Sequence, residues 1–600
     1  MQTEQLIYRR DLIFWLFEAG RTSETLSHAA YAEFDREDIE AMLDAVMELS
    51  EAELGGLADT LDAHEPELRD GEVWNHPSLA PALKSYIASG FHSAGFAPVW
   101  GGMGLPYAVT QALGAPVAAH AGTGIGYLFL TAAAANMLDV VGSDDQKARY
   151  LPKLVSGEWF GTMMLSEPQA GSSVGDIRTR AVRQSDGTYH LTGSKMWISG
   201  GDHALSDNIV HMVLAKIEND DGSLTSGSAG VSLFLAPKYI PDTGERNGIH
   251  IAGLNHKMGQ RGTVNTVPVL GEDRPCVAEL LGAPGKGLAG MCHMMNEARI
   301  GVGLSAAQFA WNGYRYSLAF ARDRVQGRPL TGSPASAPIP IIEHADVKRM
   351  LLAQKAIAEG AMALCLFAAD LVDAQRCEER ADKPNDTDAL LALLTPIVKS
   401  WPSMHGLEAN HLAIQVMGGY GYTRDFPVER IYRDNRLNEI HEGTTGIQSL
   451  DLVGRKLLKD QGAGLKVLLA HMQASIEEAA QDDELAPHAR ALAEAVERLG
   501  HSSAALGAAA AGGELDKAMA NSVVYLDMTG HIVVAWMWLR MAITARRAQA
   551  NASPVDQAFY RGKLSACAYF FRHELPRTEA QAALLARLDT TCLDVSPDEF

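Results

Sequence analysis

Residues 208–237, NIVHMVLAKIENDDGSLTSGSAGVSLFLAP, decide how the rest of the chain is read. Two apolar runs rich in Val, Ile, Leu and Phe flank ENDDGSLTSGSAG, a loop of Gly, Ser and Asp. Short apolar runs bounded by turn residues read as buried strands, since a helix shows a longer, 3.6-residue pattern. TYHLTGSKMWISG (188–200) adds an alternating run carrying Thr, Tyr, Trp and Ile. A sheet domain over 161–285 is expected.

Outward from that sheet the pattern is helical. In DIEAMLDAVMELSEAELGGLADTL (38–61), Ile39, Met42, Leu43 and Val46 share one face,. Helical spacing returns at 286, with breaks expected at LTGSPASAPIPI (330–341) and DKPNDTD (382–388). The alanine-rich tail, with HIVVAWMWLRMAITARRA (531–548), is helical again. The predicted domains are 1–160 (helical), 161–285 (β), 286–465 (helical) and 466–600 (an appended helical region): mainly α around a central β domain.

The 600 residues exceed one compact core, so roughly two to four domains are expected,. Hydrophobic residues at 47% and charged residues at 21% are ordinary for a globular protein,. No uninterrupted apolar run reaches the ~18 residues of a membrane span, and MQTEQLIYRRDLIFWLFEAG lacks the form of a signal peptide,. Six scattered cysteines form no Cys-x-x-Cys pair, which fits a reducing cytoplasm,. Lys plus Arg is 51 and Asp plus Glu is 73, a net charge of −22 that repels nucleic acid and anionic membranes,.

A helix over 404–417, burying Leu407, Leu412 and Val416, should stop at Gly418-Gly419,. A second should start at Thr444–Thr445, with Thr444 as its cap and an N-terminus suited to an anion,. Glu442 lies just outside that end. By itself it is either favourable helix-end electrostatics or a carboxylate held to take a proton. GSSVG (171–175) matches Gly-x-Ser-x-Gly, but SEPQA before it makes a poor strand, against a hydrolase elbow,. WGGMG, GAPGKG and GGYGYT lack the strand–turn–helix setting of a dinucleotide site, and HALSDNIVH and HGLEANH lack His-Glu-x-x-His, so no catalytic metal is expected,. Trp197 is either core filler or an aromatic plane beside a flat cofactor, with Ser199 able to hydrogen-bond it.

YLPKLVSGEWFGTMMLSEPQAGSS (150–173), GSKMWISGG (193–201), HKMGQRG (256–262), MMNEARIGVG (294–303), ARDRVQGRPL (321–330) and QVMGGYGYTRDFPVERIYRDNRLNEIHEGTTGIQ (415–448) together resemble the acyl-CoA dehydrogenases. The likeness covers about 90–460. YRRDLIFWLFEAG (8–20), the length and the tail resemble the larger bacterial branch, which includes fatty-acyl and 3-methylmercaptopropionyl-CoA dehydrogenases. The resemblance implies an N-terminal helical domain, a β-barrel-like middle domain and a four-helix bundle, with FAD at their junction and across a homodimer interface. It implies Ser166, where the family usually has a flavin-bonding Thr, Gly171 and Ser172 along the cofactor, Trp197 flanking the isoalloxazine, and Ser199 at flavin N5. Arg324, Gln415, Gly418 and Gly419 would meet the ADP half from the partner subunit, with Thr444 near it. RVQGR lacks the family's aromatic, so the contact of Arg324 is open.

Glu442 matches the family's catalytic base. In some relatives the base comes from the helix matching MMNEARIGVG, but here that position is Ala298, followed by Arg299, with Glu297 one residue off. Arg299 and Gly443 are expected at the substrate. The implied reaction is oxidation of an acyl-CoA to the trans-2-enoyl-CoA, Glu442 taking the α-proton and flavin N5 the β-hydride, with an electron-transferring flavoprotein as acceptor. AGTGIGYLFLTAAAANML (121–138) suggests a medium- or long-chain acyl pocket, or simply close helix packing. An acyl-CoA oxidase, a short-chain dehydrogenase and a nucleic-acid-associated flavoprotein of the same fold are the alternatives.

Overall fold

The structure, a computed structural model, describes residues 6–331, 333, 335–378 and 386–600, with backbone alone at 292–295. The expected break at DKPNDTD lies mostly outside the described residues; its last three begin a helix. Internal contacts divide the chain into two units, Ala41–Pro106 with Leu113–Ala298, and Met1–Glu40 with Tyr107–Ala112 and Arg299–Phe600.

Besides a two-stranded hairpin (Glu67–Arg69 with Glu72–Trp74) and other helices, the first unit holds α1 (Gly126–Val141), α2 (Asp144–Val155) and a nine-stranded sheet: β1 (Trp159–Met164), β2 (Arg180–Arg183), β3 (Tyr189–Ser194), β4 (Ile198–Ser199), β5 (Asn208–Ile217), β6 (Val231–Pro237), β7 (Ile249–Leu254), β8 (Asn265–Leu270) and β9 (Cys276–Leu281). The order β9-β6-β5-β2-β3 closes on itself because β9 also pairs with β3, as the barrel-like expectation requires. β1 joins β5 in parallel, Phe160 opposite Ile209, and β8 pairs with β3, β4 and β7. The run 208–217 is mostly apolar, with Asn208, His211 and Lys216 buried as well, because both faces of β5 are covered. Val210, Met212 and Leu214 pack with Ala134, Leu138 and Leu154 of α1 and α2. Val213 and Ala215 face the cluster of Leu191, Phe234 and Leu270,.

The second unit is helical: α3 (Gly287–Asp323, from Arg299 onward), α4 (Ala345–Glu378), α5 (Asp386–Met417), α6 (Val428–Arg436), α7 (Thr445–Leu450, continued as a π-helix over Asp451–Lys459), α8 (Ala463–Ala479), α9 (Ala486–Ala511), α10 (Ser522–Gln549), α11 (Pro554–Tyr569) and α12 (Arg577–Ala586). α5 ends at Met417 as expected but begins well before 404, running through Pro396 and Pro402. Its buried face near the end is Ala409, Asn410, Ala413 and Val416, while Leu407 and Leu412 are half-buried. Two stretches, Tyr107–Val141 and Ser522–Gln549, are long and apolar enough to cross a membrane by composition alone. The apolar window of Ser522–Gln549 is 83% buried inside the protein, which is the environment of a core helix,.

α5 and α10 are cross-linked by an imidazole between two carboxylates. His405 Nε2 lies 2.6 Å from Asp527 Oδ1, and its Nδ1 lies 3.1 Å from Glu408 Oε2, which Arg577 also holds. Burial pushes the His405 pKa down, but the bonds to Asp527 and Glu408 more than offset this and raise it to about 9. Asp527 and Glu408 are held well below the usual carboxylate range. The imidazolium contribution is therefore complete below about pH 6.5 and lost as pH rises through 9. The carboxylate contribution is complete above about pH 4 and lost in acid. Between pH 6.5 and 9.5 the protein should lose on the order of 2–3 kcal/mol that His405→Gln does not lose. Denaturant midpoints of both proteins at the two pH values check this; parallel pH trends would refute it.

Candidate active site

In the second unit, the ends of α6 and α7 present Glu442. α6 carries internal pairs Glu429–Arg433 at 2.7 Å and Arg430–Asp434 at 3.1 Å. A ladder of buried amides anchors the segment that leads from α6 to Glu442. Asn410 Nδ2 donates to the Phe309 carbonyl (2.8 Å), Asn435 Nδ2 to Asn410 Oδ1 (2.7 Å) and Asn438 Nδ2 to Asn435 Oδ1 (3.0 Å). His441 Nε2 completes it at 3.0 Å from Asn438 Oδ1.

The chain then passes through two left-handed residues, Glu442 (φ 52°) and Gly443 (φ 85°). The Glu442 conformation is costly for a side-chain-bearing residue and persists only where its surroundings fix it. The surroundings do so from both sides. Gln448 Nε2 donates to the Glu442 carbonyl (2.8 Å), and the buried Lys399 Nζ donates to the Gly443 carbonyl (2.7 Å). A Cβ on Gly443 would lie 2.7 Å from Gln448 Nε2, so only glycine fits. Thr444 caps α7 through its Oγ1, which accepts from Ile447 N at 3.3 Å.

Glu442 is exposed, yet protein surrounds its carboxylate closely enough that burial raises its pKa above the usual glutamate value. The charges of Arg299 and Lys399 oppose that rise. The two observations agree for a residue exposed in part whose carboxylate is crowded by protein and partly desolvated,. Arg299, expected at the substrate, is buried and bound to Asp451 at 2.6 Å, with its Nε unpartnered. It acts on Glu442 as a fixed charge.

Elsewhere in the same unit, Arg324, Gln415, Gly418 and Gly419 are all exposed near the end of α5. The Arg324 guanidinium stands 5.6 Å over the Tyr420 ring, which gathers it with the glycines. No atom lies within 4 Å of a Cβ built on Gly418 or Gly419, leaving room for a ligand backbone to approach.

In the first unit, Ser166, Trp197 and Ser199 come together where β1, β3 and β4 end. The Ser166 carbonyl accepts from Met196 N (3.1 Å), and the Ser199 carbonyl accepts from Thr162 Oγ1 (2.5 Å). Trp197 has φ 66° and is 59% exposed, so an indole is displayed at the cost of backbone strain,. It is therefore not core filler. Lys195, fully buried, holds this turn through Glu167 (3.0 Å) and the Leu165 and Leu214 carbonyls. Ser199 Oγ accepts from Asn265 Nδ2 (3.1 Å), so its proton remains to be donated. Gly171 and Ser172 lie in an exposed loop, and no Cβ neighbour lies near Gly171. Ser173 leads only into a 3₁₀ turn, Val174–Asp176, so no nucleophile elbow exists there. Sequence reasoning missed Lys399, Lys195 and the amide ladder. Their only signal was polar residues at core-facing helix or strand positions.

The family models named for the N-terminal, middle and C-terminal domains of acyl-CoA dehydrogenase match residues 36–158, 162–270 and 285–458. A fourth, "Acetyl-CoA dehydrogenase C-terminal like", matches 468–596. The chain is 33% identical to the 3-methylmercaptopropionyl-CoA dehydrogenase of Ruegeria pomeroyi, over 98% of this chain and 99% of that one. It is 31% identical to the broad-specificity linear acyl-CoA dehydrogenase FadE5 of Mycobacterium tuberculosis, with the same coverage of 98% and 99%. In fold it is similar to Caenorhabditis elegans ACDH-11 in complex with C11-CoA, with a TM-score of 0.77 at 19% identity over 98% and 96% of the two chains. It is also similar to an FAD complex of a Bacillus anthracis acyl-CoA dehydrogenase, with a TM-score of 0.74 at 20% identity over 94% and 90%. The chain belongs to the acyl-CoA dehydrogenase family. Its cofactor is FAD and its activity is that of an acyl-CoA oxidoreductase.

Proposed function

We propose that the protein oxidises a medium- or long-chain fatty acyl-CoA to the trans-2-enoyl-CoA, with Glu442 removing the α-proton. The observation that carries the proton removal is the strained, desolvated Glu442, whose own carbonyl and that of Gly443 are anchored; the chain-length class is suggested by the small residues of 121–138. A carboxylate with a raised pKa is a stronger base near neutral pH,. Among the described residues nothing accepts the Glu442 backbone N–H. It would donate to the thioester oxygen and stabilise the enolate charge as the proton leaves.

The residues present fit FAD. The displayed Trp197 offers an aromatic face, Ser199 a free hydroxyl proton, and Gly171, Gly418 and Gly419 uncrowded backbone. Ser166 and Ser172 would bond the cofactor, Arg324 and Gln415 would hold it across a homodimer, and Thr444 would lie near it. When bound, FAD supplies the acceptor for the hydride leaving Cβ. We place the enzyme in the cytoplasm, passing electrons to an electron-transferring flavoprotein.

The test is anaerobic titration of the purified holoenzyme with acyl-CoA thioesters of increasing chain length, followed at the flavin band. Bleaching by medium- and long-chain thioesters is expected. The name of the Ruegeria pomeroyi relative makes 3-methylmercaptopropionyl-CoA the second substrate to test. Bleaching by that thioester alone would move the substrate class to short chains. A flavin that no thioester bleaches would overturn the proposal, and peroxide released in air during turnover would make the enzyme an oxidase.

A further inference from the structure

Lys399 is fully buried in the middle of α5, in the turn bracketed by Pro396 and Pro402. Proline at 402 cannot bond back to the Val398 carbonyl. α3 closes over that carbonyl so tightly that a Cβ on Gly303 would lie 2.2 Å from it. Ser403 Oγ donates to the Lys399 carbonyl at 2.6 Å. The backbone that carries Lys399 is thus fixed on both sides.

Burying an ammonium without a bonded carboxylate is expensive. Lys399 nevertheless makes no ion pair within 4 Å among the described residues, and its one hydrogen bond goes to the Gly443 carbonyl. A fold needing only stability would place a neutral donor there.

We propose that Lys399 is a positioning residue for the reaction: its ammonium fixes the left-handed Glu442–Gly443 turn and sets the basicity of the Glu442 carboxylate. This rests on the reading of Glu442 as the base. The charged groups facing Lys399 are Glu442, Glu439 and Arg299, and Arg299 is itself ion-paired with Asp451. Burial brings the Lys399 pKa down to about 8, against the pull of Glu442 and Glu439. The effect on Glu442 is reciprocal, since the Lys399 charge favours its ionised form. Removing that charge therefore raises the Glu442 pKa further and moves the acid limb of activity to higher pH.

The experiment is single-turnover flavin reduction by saturating acyl-CoA across pH, on FAD-loaded variants. Lys399→Gln keeps a donor for the Gly443 carbonyl and loses the charge. Its acid limb should rise by about one pH unit, with the high-pH plateau close to wild type. Lys399→Met loses both functions, and its plateau should also fall, by about tenfold. Lys399→Arg should return the limb to the wild-type position. Should the methionine variant not fold, the glutamine and arginine variants decide, because both keep a donor and only arginine keeps the charge. An acid limb of Lys399→Gln that coincides with wild type overturns the inference. Full activity in Glu442→Gln would instead remove the reading on which it rests.

Discussion

Glu442→Gln should lower the rate of flavin reduction by acyl-CoA by about a thousandfold or more, with FAD content unchanged. The amide matches the carboxylate in shape but accepts no proton at neutral pH. The bonds that shape the turn go to backbone carbonyls at 442 and 443, so the substitution leaves them in place. Stability should not fall. A carboxylate whose pKa rises on folding contributes fully below its ordinary value and loses that contribution as pH rises above it,. At neutral pH the ionised Glu442 therefore opposes folding, and glutamine removes that opposition. The expected result is a dead enzyme that melts no lower than wild type, the pattern of a residue kept for function against stability. Stopped-flow reduction and thermal melts of the holoenzyme check both halves. Wild-type rates in the variant would assign proton removal to another group, and a lower melting temperature would mean the carboxylate holds the fold.

Glu442 also shows how far sequence carries. Its place before a capped helix was legible, because Thr444 and the glycines 418 and 419 are local signals and act within a few residues. The strands at 208–217 and 231–237 were legible for the same reason, a run of apolar residues bounded by turn formers. The left-handed backbone at Trp197 and Glu442 was not, since nothing in either residue prefers positive φ,. At Glu442 it is imposed by partners, Gln448 and Lys399, that the fold brings in. α5 extends well before 404 because packing on both sides retains the helix through Pro396 and Pro402, a continuation that local sequence does not signal,. The face of that helix was read through Leu407 and Leu412, yet small residues, Ala409 and Ala413, occupy the close contact.

The N-terminal stretch YRRDLIFWLFEAG is bonded to the C-terminal tail, and that joint leads to the second large effect. Arg10 bonds Asp556 (2.9 Å) and Tyr560 (2.7 Å), and Phe14 meets Phe559 edge-on at 5.5 Å. Asp11 bonds the wholly buried Lys563 at 2.5 Å. Lys563 also binds Glu359 of α4 at 2.9 Å, and Glu359 pairs with Lys355. Motif, α4 and tail thus share one buried ion network of two cations, Lys355 and Lys563, and two anions, Asp11 and Glu359, in which Asp11 and Lys563 lie 552 residues apart in sequence. Lys563→Met leaves Asp11 without a counter-charge and should cost about 3–5 kcal/mol. Adding Asp11→Leu removes the orphaned carboxylate while leaving Lys355–Glu359 intact. The double variant should recover most of that loss, because the penalty lies in an unpaired buried charge more than in a missing attraction. Chemical denaturation of the two single variants and the double variant measures the coupling. Additive losses would mean that the two side chains act separately, leaving the Arg10 bonds and the aromatic contacts to join motif and tail.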